Sequence, residues 1–156
     1  MKQHTMRKAF SMITAIFVIV IMATIAAFIM NLSGKTVKTT SAQYRESQAE
    51  LYAKSYTEYS VLAIQGHNHT ANCVKQINGQ IDGTLNNGGY QVSAYIAYIS
   101  SAGVIGTCPA TRQLSIAVTT TSTPLTALID VYVTYKDMDN PSAPVFTVHR
   151  RTVQKI

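Results

Sequence analysis

The sequence predicts an α+β chain. One long N-terminal helix, a membrane half followed by an amphipathic half, packs on a four-stranded antiparallel sheet. Three observations carry that prediction. Residues 10–30 (FSMITAIFVIVIMATIAAFIM) hold no charge, and only Ser11, Thr14 and Thr24 are polar. Residues 35–65 place Tyr44, Leu51, Tyr52, Tyr56, Tyr59, Leu62 and Ala63 at spacings of three, four and seven, a helical period. Four β-branched, tyrosine-rich runs then follow, separated by turn-forming residues.

Composition narrows the function classes. The chain has 156 residues, 47% hydrophobic and only 13% charged, which excludes a disordered protein and suits one domain with an appendage. Thirteen Lys and Arg against seven Asp and Glu give a formal +6, a balance usually read as nucleic-acid or anionic-membrane binding. Its distribution weakens that reading. Lys2, Arg7 and Lys8 supply +3 ahead of the apolar run, and the chain from Lys35 onward carries the other +3.

The first element, 10–33, reads as a transmembrane helix after a basic leader, 1–9. At about 1.5 Å per residue the apolar run spans roughly 31 Å, against a hydrocarbon core of about 30 Å. A cleaved secretory signal has a shorter apolar region, about 7–15 residues. A core helix apolar on every face would need a larger protein around it. The excess of positive charge before the helix orients the N-terminus to the cytoplasm and the rest of the chain to the periplasm. Cys73 and Cys108, the only cysteines, then lie in an oxidising compartment and are predicted to be bridged. Two reduced, buried cysteines are the alternative if the orientation is reversed.

The second element, 34–65, continues the same helix as its amphipathic half. No proline precedes Pro109 and Gly34 is the only glycine before Gly66, so the two halves form one helix of roughly 55 residues that stops at Gly66. The tyrosine stripe is assigned to packing on the sheet and on neighbouring helices. Residues 66–156 form the β-rich domain. GHNHTAN is a loop, and 73–89 is glycine- and asparagine-rich, mostly turns with room for one short strand. The strands are 90–100, 112–121, 127–136 and 145–154; short connections without helices favour an antiparallel meander.

The residues around the leader junction, Lys8-Ala9 followed by Phe10-Ser11-Met12-Ile13-Thr14-Ala15, resemble the type IV prepilin signature: a short basic leader, a small residue, phenylalanine and a hydrophobic helix. The resemblance extends to type II secretion pseudopilins. It implies cleavage by a prepilin peptidase between Ala9 and Phe10, then methylation of the new N-terminus. It implies a pilin-like fold, with the subunit held in the bacterial inner membrane before filament assembly with other pilin or pseudopilin subunits. At the fifth mature position that family usually has glutamate, whereas this chain has Thr14. A carboxylate inside lipid costs about 2.5–3.5 kcal/mol unless paired, and threonine removes both the cost and the pairing. Within the family that departure marks a minor subunit.

Candidate chemistry is sparse. His67, His69 and Cys73 have zinc-ligand types in an H-x-H-x3-C spacing, but lack a nearby fourth ligand, and Cys73 is better used in the disulfide. Asp137, Asp139 and Asn140, with Asp130 upstream, are alternate oxygen donors where the resemblance implies a calcium site; ordinary turn chemistry is the competing reading. Arg150, Arg151 and Lys155 on the last strand, with Tyr132 and Tyr135 nearby, offer contacts to DNA, or simply charge that protects an edge strand. No catalytic motif is present, and an enzyme is not expected. The leading expectation is a structural filament subunit, a minor pilin or pseudopilin. The alternative is a single-pass, membrane-anchored periplasmic binding module.

Overall fold

The computed structural model describes residues 4–69, 71–119, 125–138 and 142–156, with side chains from Met12 onward. It contains α1 (His4–Gln65), β1 (Gln76–Ile81), β2 (Tyr90–Ser100), β3 (Gln113–Ser115), β4 (Leu125–Lys136) and β5 (Val145–Lys155). Two short 3-10 turns, Leu85–Asn87 and Ala110–Arg112, precede β2 and β3. This is the α+β class, a long N-terminal helix with a sheet. The chain divides into two compact units, Met1–Gln43 and Tyr44–Ile156.

In the second unit the helix lies on a sheet ordered β1-β2-β4-β5, every neighbour antiparallel, with β3 added beside β2. The core follows from strict alternation along the two central strands. Val92, Ala94 and Ile96 of β2 and Ile129, Val131 and Val133 of β4 are fully buried on one face. Removing the valine and isoleucine side chains from water stabilises the fold by about 1.5–3 kcal/mol each. Onto them the helix sets Ala49, Ala53, Thr57, Ser60 and Ile64, all buried and spaced by three or four. Small side chains let the backbone come close. Thr57 and Ser60 donate their hydroxyls to the Ala53 and Tyr56 carbonyls, at 2.8 and 2.6 Å, so neither helix hydroxyl is left bare on the packed face.

The predicted tyrosine stripe meets the sheet only in part. Tyr52 and Tyr56 do pack on the core, but Tyr44, Leu51, Tyr59 and Leu62 are 56–65% exposed on other faces. Bulk decided the reading from sequence, whereas closeness of approach decides which face is buried. Tyr56 shows how close: a Cβ built on Gly79 of β1 would sit 1.8 Å from its hydroxyl oxygen, so only glycine fits beneath the ring. Arg45 ties the helix to the far ends of the strands. Its guanidinium donates to the Gly88 and Lys136 carbonyls and stands 5.8 Å from the Tyr90 ring centroid. Gly88 turns there with φ +83°, and a Cβ would press on Arg45 at 3.2 Å.

Strand membership is corrected. Among the described residues the expected four-stranded sheet has five strands, and 112–119 supplies the three-residue β3, parallel to β2. Register explains this. β1 pairs with 90–95 of β2 and β4 occupies its other edge, so only the stretch near Tyr98 and Ile99 remains for β3. The fourth antiparallel strand is β1, from the segment read as mostly turns. Cys73 and Cys108 are bridged, with Cα atoms 5.4 Å apart. The bridge joins the loop after the helix to the loop before β3, where Asn72 and Thr107 also pair. Closing 35 residues contributes about 3–4 kcal/mol in the chain-entropy picture.

Candidate functional site

Two features invite a functional reading, one in each unit. In the first unit α1 presents large apolar side chains from Met12 to Met30 that are each 46–79% exposed. This helix is long and apolar enough to cross a membrane by length and composition. Its threonines do not spoil that surface: Thr24 donates to the Ile21 carbonyl at 2.8 Å, satisfying its hydroxyl within the helix. Thr14 lies exposed on the same helix. Ala9 and Phe10 fall within α1, and their side chains lie outside the described residues.

In the second unit the sheet face turned away from the helix carries a cluster that no sequence motif announces. Antiparallel register sets two rows of residues across four strands. One row is Asn78, Ser93, Tyr132 and His149; the next is Gln76, Tyr95, Asp130 and Arg151. Asp130 is the electrostatic centre. Arg151 grips it side-on through one guanidinium edge, Nε to Oδ1 at 2.7 Å and Nη2 to Oδ2 at 3.0 Å, and His149 Nε2 meets Oδ1 at 2.8 Å. The Arg151 hydrogen bonds, with help from His149, hold the Asp130 carboxyl below its ordinary range. Asp130 in turn raises the Arg151 guanidinium.

Aromatic rings surround this pair. Tyr132 stacks on the His149 imidazole at 4.4 Å, nearly parallel, and meets Tyr95 edge-on at 5.9 Å. Arg112, delivered by the turn before β3, stands 5.2 Å over the Tyr95 ring. Between them lies an open groove of about 470 Å³ lined by Ser93, Tyr95, Arg112, Asp130 and Tyr132. Elsewhere, burial pushes the Tyr98 hydroxyl up to about 12; it donates to the Val74 carbonyl at 2.8 Å and serves packing.

The residues singled out from sequence are only partly brought together. Cys73 is consumed in the disulfide, so the His67–His69–Cys73 zinc set fails; His67 instead hydrogen-bonds Asn72. Among the described residues no group of three His, Cys, Asp or Glu side chains is arranged to hold a metal. Asp137 follows β4, while Asp139 and Asn140 lie outside the described residues. Asp130 is engaged with Arg151 and His149 rather than with that turn. Arg151 and Lys155 share the outer face of β5, but Arg150 points to the helix side, where it lines a groove of about 330 Å³ with Glu50, Lys54 and Val148. Sequence reading missed Ser93, Tyr95 and Arg112 altogether. No protein-family model, curated protein or solved structure matches this chain.

Proposed function

We propose that this protein is a structural subunit of a type IV pilus-like or type II secretion-like filament, a minor pilin or pseudopilin. The observation that carries the reading is α1. A single 62-residue helix exposes membrane-compatible apolar residues in its first part and buries Ala49, Ala53 and Ile64 against a disulfide-stapled sheet in its last. Lipid satisfies the first part before assembly, and the helices of other subunits satisfy it afterwards. The basic leader, residues 1–9, faces the cytoplasm and is removed at Ala9–Phe10; the sheet domain, 66–156, faces the periplasm. Thr14 provides no carboxylate for a neighbouring N-terminus, which favours a low-copy place in the filament.

A second reading, a monomeric anchored periplasmic binding module, draws on the groove at Tyr95 and Tyr132. Mass spectrometry of the native N-terminus separates the two. Processing yields a chain that begins at an N-methylated Phe10, and an intact Met1 terminus rejects the filament reading in favour of the anchored module.

A further inference from the structure

We propose that the outer sheet face is a carbohydrate-binding strip that takes an acidic polysaccharide across Tyr95 and Tyr132, with a uronate carboxylate at Arg112. This goes beyond the filament assignment and holds whether the chain polymerises or stands alone in a membrane.

The argument starts from the two rows of the face. They alternate ring surfaces with amides and hydroxyls: Tyr132 lies between Ser93 and His149, and Tyr95 between Gln76 and Asp130. Four strands at about 4.8 Å spacing make a strip roughly 14 Å across, several sugar units wide. Gln76 donates to Asn78 at 2.8 Å, which holds both amides on this face beside the groove. Pyranose rings present C–H faces that pack on aromatic rings and hydroxyls that pair with amides and carboxylates. Tyr95 and Tyr132 offer the ring surface that Arg112 and His149 do not cover, and Ser93 and Asp130 the polar partners, around one groove.

Charge selects the class of ligand. Asp130 is neutralised by Arg151, which leaves Arg112 as the excess positive charge of the groove. Among the described residues no carboxylate pairs with Arg112; its contact is the Tyr95 ring. A guanidinium held beside a ring surface matches a carboxylate carried on a sugar ring. Nucleic acid fits less well. Its affinity rests on several phosphate contacts, and the groove itself offers Arg112 next to the Asp130 carboxylate. A peptide adding to a sheet uses an unpaired edge, whereas the strip lies in the middle of the face.

The test uses the full chain in detergent micelles, titrated with four probes: hexameric oligogalacturonate, hexameric oligoalginate, fully methyl-esterified oligogalacturonate and a dT12 strand. The proposal expects at least one uronate oligomer to bind most tightly, with the methyl ester at least threefold weaker than its parent acid. Arg112→Gln should abolish the difference between acid and ester. Tyr132→Ala should weaken saccharide binding at least tenfold while circular dichroism stays unchanged; if that variant misfolds, Tyr95→Ala serves in its place. The proposal is overturned if neither uronate binds, if dT12 binds more tightly than both, or if folded Tyr95→Ala and Tyr132→Ala variants keep full saccharide affinity.

Discussion

Asp130 is the residue whose role changes most between sequence and structure. Read along the chain it belongs with Asp137; across the sheet it belongs with Arg151, twenty-one positions away. Only register brings those two together, and spacing in one strand carries no trace of the register with the next. The pairing has a pH signature. A carboxyl held below its ordinary value adds stability that is fully present above the ordinary carboxylate range and is lost as pH falls through the folded value. Asp130→Asn should therefore lower the urea midpoint at pH 7 and cost less as pH falls below the ordinary carboxylate range, toward pH 2.5. High salt should shrink the difference at pH 7, because the partners are largely exposed. An equal loss at both pH values would mean that Asp130 acts by shape rather than charge. Gly79 makes a purely steric case. Gly79→Ala drives a methyl into the Tyr56 ring and should cost about 1–3 kcal/mol in chemical denaturation, with much of the loss recovered when Tyr56 is cut to Leu. Sequence could flag Gly79 only as a turn-former, since what it accommodates comes from a helix twenty-three positions earlier.

At the scale of elements, legibility tracks how local the determining interaction is. The bounds of β2 were readable as 90–100, since alternating Val, Ala, Tyr and Ile state their own period. The end of α1 at Gln65 was readable too, because Gly66 follows an uninterrupted helical pattern. β1 fills the room for one short strand within 73–89, whereas β3 is far shorter than expected because its extent is set by the free stretch along the edge of β2, not by its own composition. The helix faces were misjudged for a related reason. Tyrosines looked like core, yet a helix lying on a flat sheet buries its smallest residues. That difference is measurable. Ala53→Leu, at a fully covered position, should destabilise the domain by about 1–3 kcal/mol. Leu51→Ala and Leu62→Ala, at positions 61% and 65% exposed, should change stability by less than about 0.5 kcal/mol. Thermal unfolding of the three variants ranks the faces directly, and a cost at Leu51 matching that at Ala53 would refute the assignment.

For the whole molecule, the two units have opposite relations to solvent. Every residue of the hydrophobic core, from Ala49 to Ile156, lies within Tyr44–Ile156, and so does the disulfide. The large apolar side chains between Met12 and Met30 are exposed without exception among the described residues. Burial therefore supplies folding free energy to the second unit, while the first leaves its large apolar side chains uncovered among the described residues. The expected outcome is a clean separation. A chain of residues 44–156, secreted into an oxidising compartment, should be soluble without detergent and unfold in one cooperative transition. Its sheet domain is small enough for the cross-link to matter. Reduction should lower its stability by about 3–4 kcal/mol, the entropy released when a 35-residue loop opens. The full chain should partition into membranes and resist alkaline extraction, because that helix is long and apolar enough to cross a bilayer. Aggregation of 44–156 in place of a cooperative transition would show that the core needs the first unit. Release of the full chain by alkali would show that the apolar helix is covered by protein instead of lipid.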